Sequence, residues 1–441
     1  MADQKANLGV KRQPEGTNEP EPKYPRTGSV TNTKKLTDVV DDCLERIFMH
    51  LSVEDLLNIA HTNKQLIPAA DLAFQRKFGK MEFQLNNKRY YYSSGDNIKI
   101  NDKKTQLRLL RCFGHFITKL DLQQSDEFGK KLVDYANEYC FESLTAIKIR
   151  WLYIRNDMLQ KPFSNIEVVE LKECKLYADT NFKKWFPAMR RLELNWSSPF
   201  TKGMFIVKNI PQLEHLAIHC NRNKPSENIC TSLRNNPQLR SVYLWVYRLP
   251  KDFWNTCQTL AQLECLKIYS NANFAHVDTV INFHALKKLD IHTEENDLRL
   301  MALEENVITF DQLKDITLHY KFDLLPSIDS HKWSNFFKRN QSIEKVTLWS
   351  FITSETSVTI MTEAVQNLPL LKEFNHFGYG YTVNEILRSI GKFSLLSYGF
   401  QLNRDSFFDD LKKRLGAEFH ASICEHEHKS SPGSRIKVNR R

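Results

Sequence analysis

The chain has 441 residues, 41% apolar and 11% aromatic, enough for a sizeable core in more than one domain or in one elongated array. Its formal net charge is +10, but 62 basic residues are dispersed among 52 acidic ones, which argues for a solvated basic surface rather than a polyanion-binding block. No run approaches the roughly 18 apolar residues of a membrane span, and the N-terminus is hydrophilic.

The nine cysteines are scattered, and none forms a C-x-x-C pair. They read as reduced thiols of a cytoplasmic or nuclear protein. Residues 1–34 carry almost no large apolar side chains and are expected to be disordered, because so little buried surface cannot offset chain entropy. Lys11-Arg12 and the cluster from Lys23 to Arg26 read as a charged tail, with a split nuclear-import signal as the competing reading.

Residues 35–80 read as a small helical domain. Leu44, Ile47, Phe48 and Leu51 recur at i, i+3, i+4 and i+7, one stripe of a helix, with Asp42 and Glu45 placed to cap its start. Ser52 caps a second helix with Asp55 in its first turn and Leu56, Leu57, Ile59 and Ala60 as the apolar set. Pro68 opens a third helix, through Leu72, Phe74 and Phe78, which Gly79 ends. So small a bundle has more apolar faces than it can cover alone, and a partner would bury the surplus. The stretch resembles an F-box: Asp42, Leu44, Ile47, Phe48, Leu51, Asp55 and Leu56 fall on the family's positions. Val39 and Val40 stand where the family carries Leu-Pro. The resemblance implies that these seven residues contact a Skp adaptor, with Phe48 a central anchor.

Residues 81–116 read as a linker and repeat-capping segment. MEFQL is a candidate strand, Tyr90 to Tyr92 a candidate domain junction, and Leu107, Leu109, Leu110, Phe113 and Phe116 a capping helix. From Ile117 to residue 402 a pattern apolar-x-x-apolar-x-apolar repeats. It appears as ITKLDL, LTAIKI, IEVVEL, MRRLEL, LEHLAI, LRSVYL, LECLKI, LKKLDI, LKDITL and IEKVTL, then more weakly as LKEFNH and LLSYGF. Successive copies start 22 to 30 residues apart. This resembles the leucine-rich repeat. The alternating apolar pair of each copy points from a short strand into a shared core. KKWF, ENICTSL, KDFWNTCQTL and NEILRSI read as helices between strands, and Pro187, Pro211, Pro237 and Pro369 stop the chain ahead of the next strand. The predicted fold is therefore α/β: a small all-helical F-box followed by a horseshoe of about 12 repeats, strands inside and helices outside. RDSFFDDLKKRLGAEF and its surroundings, 403–424, read as a C-terminal cap, and 425–441 as a disordered tail whose histidines (His426 and His428, with His420) are solvated.

There is no P-loop, G-x-S-x-G, H-E-x-x-H or dinucleotide fingerprint, and only 14 glycines, so no enzyme, metal or cofactor is expected. What remains is a binding face. Arg150, Lys172, Asn195, His219, Tyr243, Trp245, Tyr269, His292, His319 and Trp349 lie between or after the core pairs and point away from the core. The part from Tyr243 through Tyr269, His292 and His319 to Trp349 is aromatic and histidine-rich and is the candidate substrate strip. Mutual packing of these rings is the competing reading. Trp185, Trp254 and Trp333 lie on helical segments and are expected in the core; Trp151 and Trp196 fall in loops.

An F-box followed by leucine-rich repeats resembles the substrate receptors of Skp–cullin–F-box ubiquitin ligases, and the LLRCFGHFITKLDL stretch resembles insect members. The implied function is a non-catalytic adaptor, bound to Skp and through it to the cullin ligase core, holding an unknown protein substrate on the repeats and feeding proteasomal degradation. The alternative is a repeat scaffold unconnected with ubiquitin, binding nucleic acid through its basic excess, with the helices only capping the array.

Overall fold

The computed structural model describes residues 36, 39–86, 97–123, 127–154, 161–176, 181–196, 207–220, 227–270, 280–292, 308–320, 330–350, 363–364, 366–379, 419–428 and 431–440. The segment 87–96 with its three tyrosines, the helix expected at NEILRSI, the copy LLSYGF and most of the expected C-terminal cap lie outside the described residues.

Three helices open the fold. α1 (Asp41–Phe48) has Val40 at its N-cap and no side-chain cap. The expected Asp42–Glu45 cap does not form, because Glu45 is buried and its carboxylate lies 2.6 Å from Arg76 of the third helix. Asp41 and Asp42 remain in the first turn, where the exposed amide ends favour negative charge. α2 (Val53–Thr62) starts with a reciprocal cap: Asp55 N donates to Ser52 Oγ (3.2 Å), and Ser52 N donates to the Asp55 carboxylate (3.3 Å). α3 (Ile67–Phe78) has Pro68 in its first turn and Gly79 at its C-cap.

The segment expected as a linker joins the main sheet. β1 (Glu82–Asn86) and β2 (Ile98–Ile100) pair in parallel, and β1 also pairs with β3 (Lys119–Gln123), so the array begins well ahead of Ile117. Phe83 and Leu85 are fully buried on the core face, while Gln84 and Asn86 on the other face are buried in side-chain contacts to Asp121 and Gln123. Between β2 and β3 runs α4 (Lys103–Phe113), capped by Asp102, which accepts from Thr105 N at 2.7 Å. Phe74 of α3 stacks on Phe113 of α4 at 4.2 Å and lies 5.5 Å from Phe83 of β1. The helices and the sheet therefore share one hydrophobic core.

The repeats follow as α5 (Glu127–Tyr139), β4 (Ala146–Arg150), β5 (Tyr153–Ile154), β6 (Val168–Lys172), β7 (Lys175–Leu176), α6 (Phe182–Trp185), β8 (Arg191–Trp196), β9 (His215–Cys220), α7 (Glu227–Arg234) and β10 (Ser241–Val246). They continue as α8 (Phe253–Gln258), β11 (Cys265–Ser270), β12 (Ile281–Phe283), β13 (Lys288–His292), β14 (Ile308–Phe310), β15 (Asp315–Tyr320), α9 (Ser330–Arg339), β16 (Lys345–Ser350) and β17 (Glu373–Tyr379). Thirteen parallel strands stand in the order β2-β1-β3-β4-β6-β8-β9-β10-β11-β13-β15-β16-β17. This is a leucine-rich-repeat-like α/β solenoid.

Its register explains the motif. Leu192, Leu216, Val242, Leu266, Leu289, Ile316 and Val346 pair across successive strands, and Leu194, Ile218, Leu244, Ile268, Ile291, Leu318 and Leu348 form a second row two residues on. All are at most 3% exposed. The motif's first apolar residue is equally buried at the preceding turn, as at Met189, Leu213, Leu239 and Leu263. Each buried leucine contributes about 2 kcal/mol relative to exposure. Pro187, Pro211, Pro237 and Pro369 sit in the turns ahead of their strands. Trp185, Trp254 and Trp333 are in the core. Trp151 holds a positive φ (61°) just after β4, whereas Trp196 is the last residue of β8 rather than a loop residue.

Two features depart from the expected plan. The side behind the sheet is not helical throughout: β12 and β14 pair with each other there, because INF and ITF alternate buried Ile281, Phe283, Ile308 and Phe310 with polar residues, a period of two. The expected tail also contributes strands. β18 (Phe419–His428) and β19 (Ser431–Arg440) form a hairpin, and β19 pairs antiparallel to β17. The backbone groups at the edge of β17 are thereby paired with chain rather than left as an open template.

Candidate functional site

The first surface lies on α1. Its seven predicted partner contacts divide into two sets. Leu44 (1% exposed), Phe48 (2%) and Leu56 (0%) are interior residues. They face the bundle's own core, which α3 and α4 complete, and cannot touch a second protein without unfolding. Leu51 is half-buried against the same core, and Asp55 is engaged as the cap of α2. Asp42 is exposed, and so is Ile47, at 51%.

Ile47 has apolar company that the sequence reading missed. Val40 is 70% exposed and Leu36 50% exposed. Val40, Cys43 and Ile47 recur at i, i+3 and i+7, one stripe beside the buried one. The signal was present in the heptad spacing, but the neighbouring stripe of Leu44 and Phe48 is the stronger one.

The second surface is the open face of the sheet. Asn86, Gln123, Arg150, Lys172, Asn195, His219, Trp245, Tyr269, His292, His319 and Trp349 stand directly opposite one another on successive strands, as one row. Tyr243 belongs to a parallel row two residues earlier, with Glu193, Ala217, Lys267 and Asp290. Strand alternation puts both rows on the face away from the core.

The front of this face is closed by its own polar network. Arg150 holds Asp121 through two contacts of 3.1 and 3.0 Å, and Gln123 donates to the same carboxylate at 2.8 Å. Burial pushes the Asp121 carboxyl up, and Arg150 opposes that shift. Lys148 lies 3.2 Å from Glu82 and 3.6 Å from Glu170; burial works against its charge, but the two carboxylates hold it above its usual value.

From His219 onward the face is built of rings. His219 meets Tyr243 edge-on at 4.7 Å and Trp245 at 5.8 Å. Trp245 lies 4.5 Å from Tyr269, Tyr269 stacks on His292 at 3.8 Å, and His292 lies 4.8 Å from His319. Of the six predicted strip residues, Trp245, Tyr269, His292 and His319 therefore adjoin one after another, Tyr243 joins them through His219, and Trp349 continues the row by backbone register. Charges lie beneath the ribbon. Lys267 is 3.0 Å from Asp290 and 5.2 Å from the Tyr243 ring, while His319 Nε2 is 3.3 Å from Asp290. Burial pushes the Asp290 carboxyl up, but His319 and Lys267 together bring it below the usual range. Burial lowers the His219 imidazole, whose Nε2 is 3.6 Å from Glu193. Glu193, Lys267 and Asp290 were not singled out from sequence; only the register shows them to be neighbours of the rings.

Among the described residues no helix is long and apolar enough to cross a membrane, and no group of three or more His, Cys, Asp and Glu is placed to hold a metal. No family model and no curated protein matches the chain. A solved structure, the complex of Rad7 and Elc1 in yeast, is similar at 12% identity and TM-score 0.31, over 70% of this chain and 88% of that one. Likeness that loose carries no functional argument.

Proposed function

We propose that the chain is a non-catalytic adaptor of a Skp–cullin–F-box ubiquitin ligase. It docks on a Skp adaptor through the front of α1 and holds a protein substrate on the open face of the repeats. The observation that carries this reading is Ile47: half-exposed on a helix whose Leu44 and Phe48 are sealed, in one stripe with the exposed Val40 and Cys43. A bundle that served only to cap the array would have no use for that second stripe. An apolar helix face of this kind is suited to a groove on another protein. The rings from Tyr243 to His319 support the second half, since aromatic side chains concentrate binding energy at protein interfaces.

The test is affinity purification from cells. Full-length chain is expected to bring down Skp and cullin, and Ile47→Asp to lose both while remaining folded. Equal recovery by both proteins would defeat the proposal. Deleting residues 35–80 is a poor substitute, because Phe83 and Phe113 would lose their cover.

A further inference from the structure

We propose that the ribbon from Trp245 to His319 takes a proline-rich, uncharged peptide segment in the polyproline II conformation, without any need for phosphorylation. This rests on the reading of the repeats as the substrate-binding face, and it names the class of segment they bind.

Charge is the first argument. Phosphopeptide readers offer cations free to make charge-assisted bonds to phosphate. On the described open face of β10, β11, β13 and β15 the lysines are Lys267 and Lys288, and each is already held by a carboxylate, Asp290 at 3.0 Å and Asp315 at 3.2 Å. A phosphate placed there would meet the Asp290 carboxylate. A basic segment is no better matched, since Asp290 is engaged from two sides, by Lys267 and by His319. The complement of a surface with its charges internally closed is an uncharged one.

Spacing is the second. The row carries one ring per strand, and neighbouring strands lie about 4.8 Å apart, so every second ring is about 9.6 Å on. A polyproline II helix rises about 3.1 Å per residue with three residues per turn, a repeat of about 9.3 Å. A segment crossing the strands can therefore set residues i and i+3 beside Trp245 and His292, or beside Tyr269 and His319. Proline rings on aromatic ridges are an established mode of recognition, and a segment already extended loses little entropy on binding. The ridge is equally open: Trp245 is 43% exposed, and its ring lies 4.5 Å from that of Tyr269.

The test is selection of a phage-displayed random 12-residue peptide library on the full-length protein, with a Trp245→Ala/Tyr269→Ala double variant as the control. The enriched peptides are expected to carry proline or apolar residues at i and i+3 with few charges. They should bind the double variant at least tenfold more weakly, bind equally in 0.05 and 0.5 M salt, and weaken when a phosphoserine is introduced. Enrichment of acidic or basic clusters, tightening by phosphoserine, or equal recovery by the double variant would overturn the inference, as would the absence of any enrichment. Binding of oligo(dT) that collapses with salt would instead favour a nucleic-acid ligand. Skp capture through Ile47, measured on the same protein, is independent of this face, so its loss or retention separates failure of the inference from failure of the adaptor reading.

Discussion

Phe74 and Phe113 lie ring on ring, 4.2 Å apart and within 9° of parallel, and this stack joins the front helices to the repeat array. Both are fully buried. Phe74→Ala is expected to lower stability by about 3 to 5 kcal/mol through lost packing and the cavity left behind. Because the core is continuous, the helices and the front strands should unfold together. Denaturant unfolding followed by far-ultraviolet circular dichroism and by hydrogen exchange in α1 checks this. A transition in the helices that leaves β1 and β3 protected would show two separable units.

Leu244 and Trp245 are adjacent in β10 and point to opposite faces, which separates folding from binding. Leu244 is fully buried, and Leu244→Ala should cost about 3 kcal/mol. Trp245→Ala should cost about 1 kcal/mol, the scale of its exposed ring contacts. Thermal melts of the two variants test the assignment of faces, and a Trp245→Ala chain that unfolds as readily as Leu244→Ala would contradict it.

Asp290 supplies a pH dependence. Burial raises its carboxyl, His319 and Lys267 lower it, and the net direction is down from 3.8. A carboxylate whose folded value lies below its unfolded one contributes stability above the unfolded value and loses it as pH falls through the folded one. Asp290→Asn should therefore be less stable than wild type by about 1 kcal/mol at pH 7, given the half-exposed lysine partner. The gap should close below pH 3.8. Urea midpoints of the two proteins between pH 7 and pH 2.5 check both the sign and the window; a gap that widened in acid would contradict it.

The repeats were readable in the sequence because each copy states its own geometry. Leu192 and Leu194, like Leu289 and Ile291, alternate with polar residues, and the prolines mark the turns. Register then followed from repetition, and with it the row from Arg150 to His319. The front was harder. Leu44, Ile47 and Phe48 share a stripe by spacing, but whether a stripe meets its own bundle or another protein depends on where α3 and α4 sit. By spacing alone Phe48 reads as a partner anchor, whereas the fold places it in the core. β2, only three residues long and placed outside β1, has too little pattern to declare itself, and β19 is made of alternate residues in a stretch whose charge reads as tail.

The most direct measurement of the adaptor account is isothermal titration of purified Skp adaptor into full-length wild-type, Ile47→Asp and Val40→Asp proteins. A surface substitution on α1 should leave thermal stability nearly unchanged. The account predicts that wild type binds and that Ile47→Asp weakens binding at least tenfold, with Val40→Asp in the same direction. Binding of equal strength by all three proteins, or none by wild type, would contradict it.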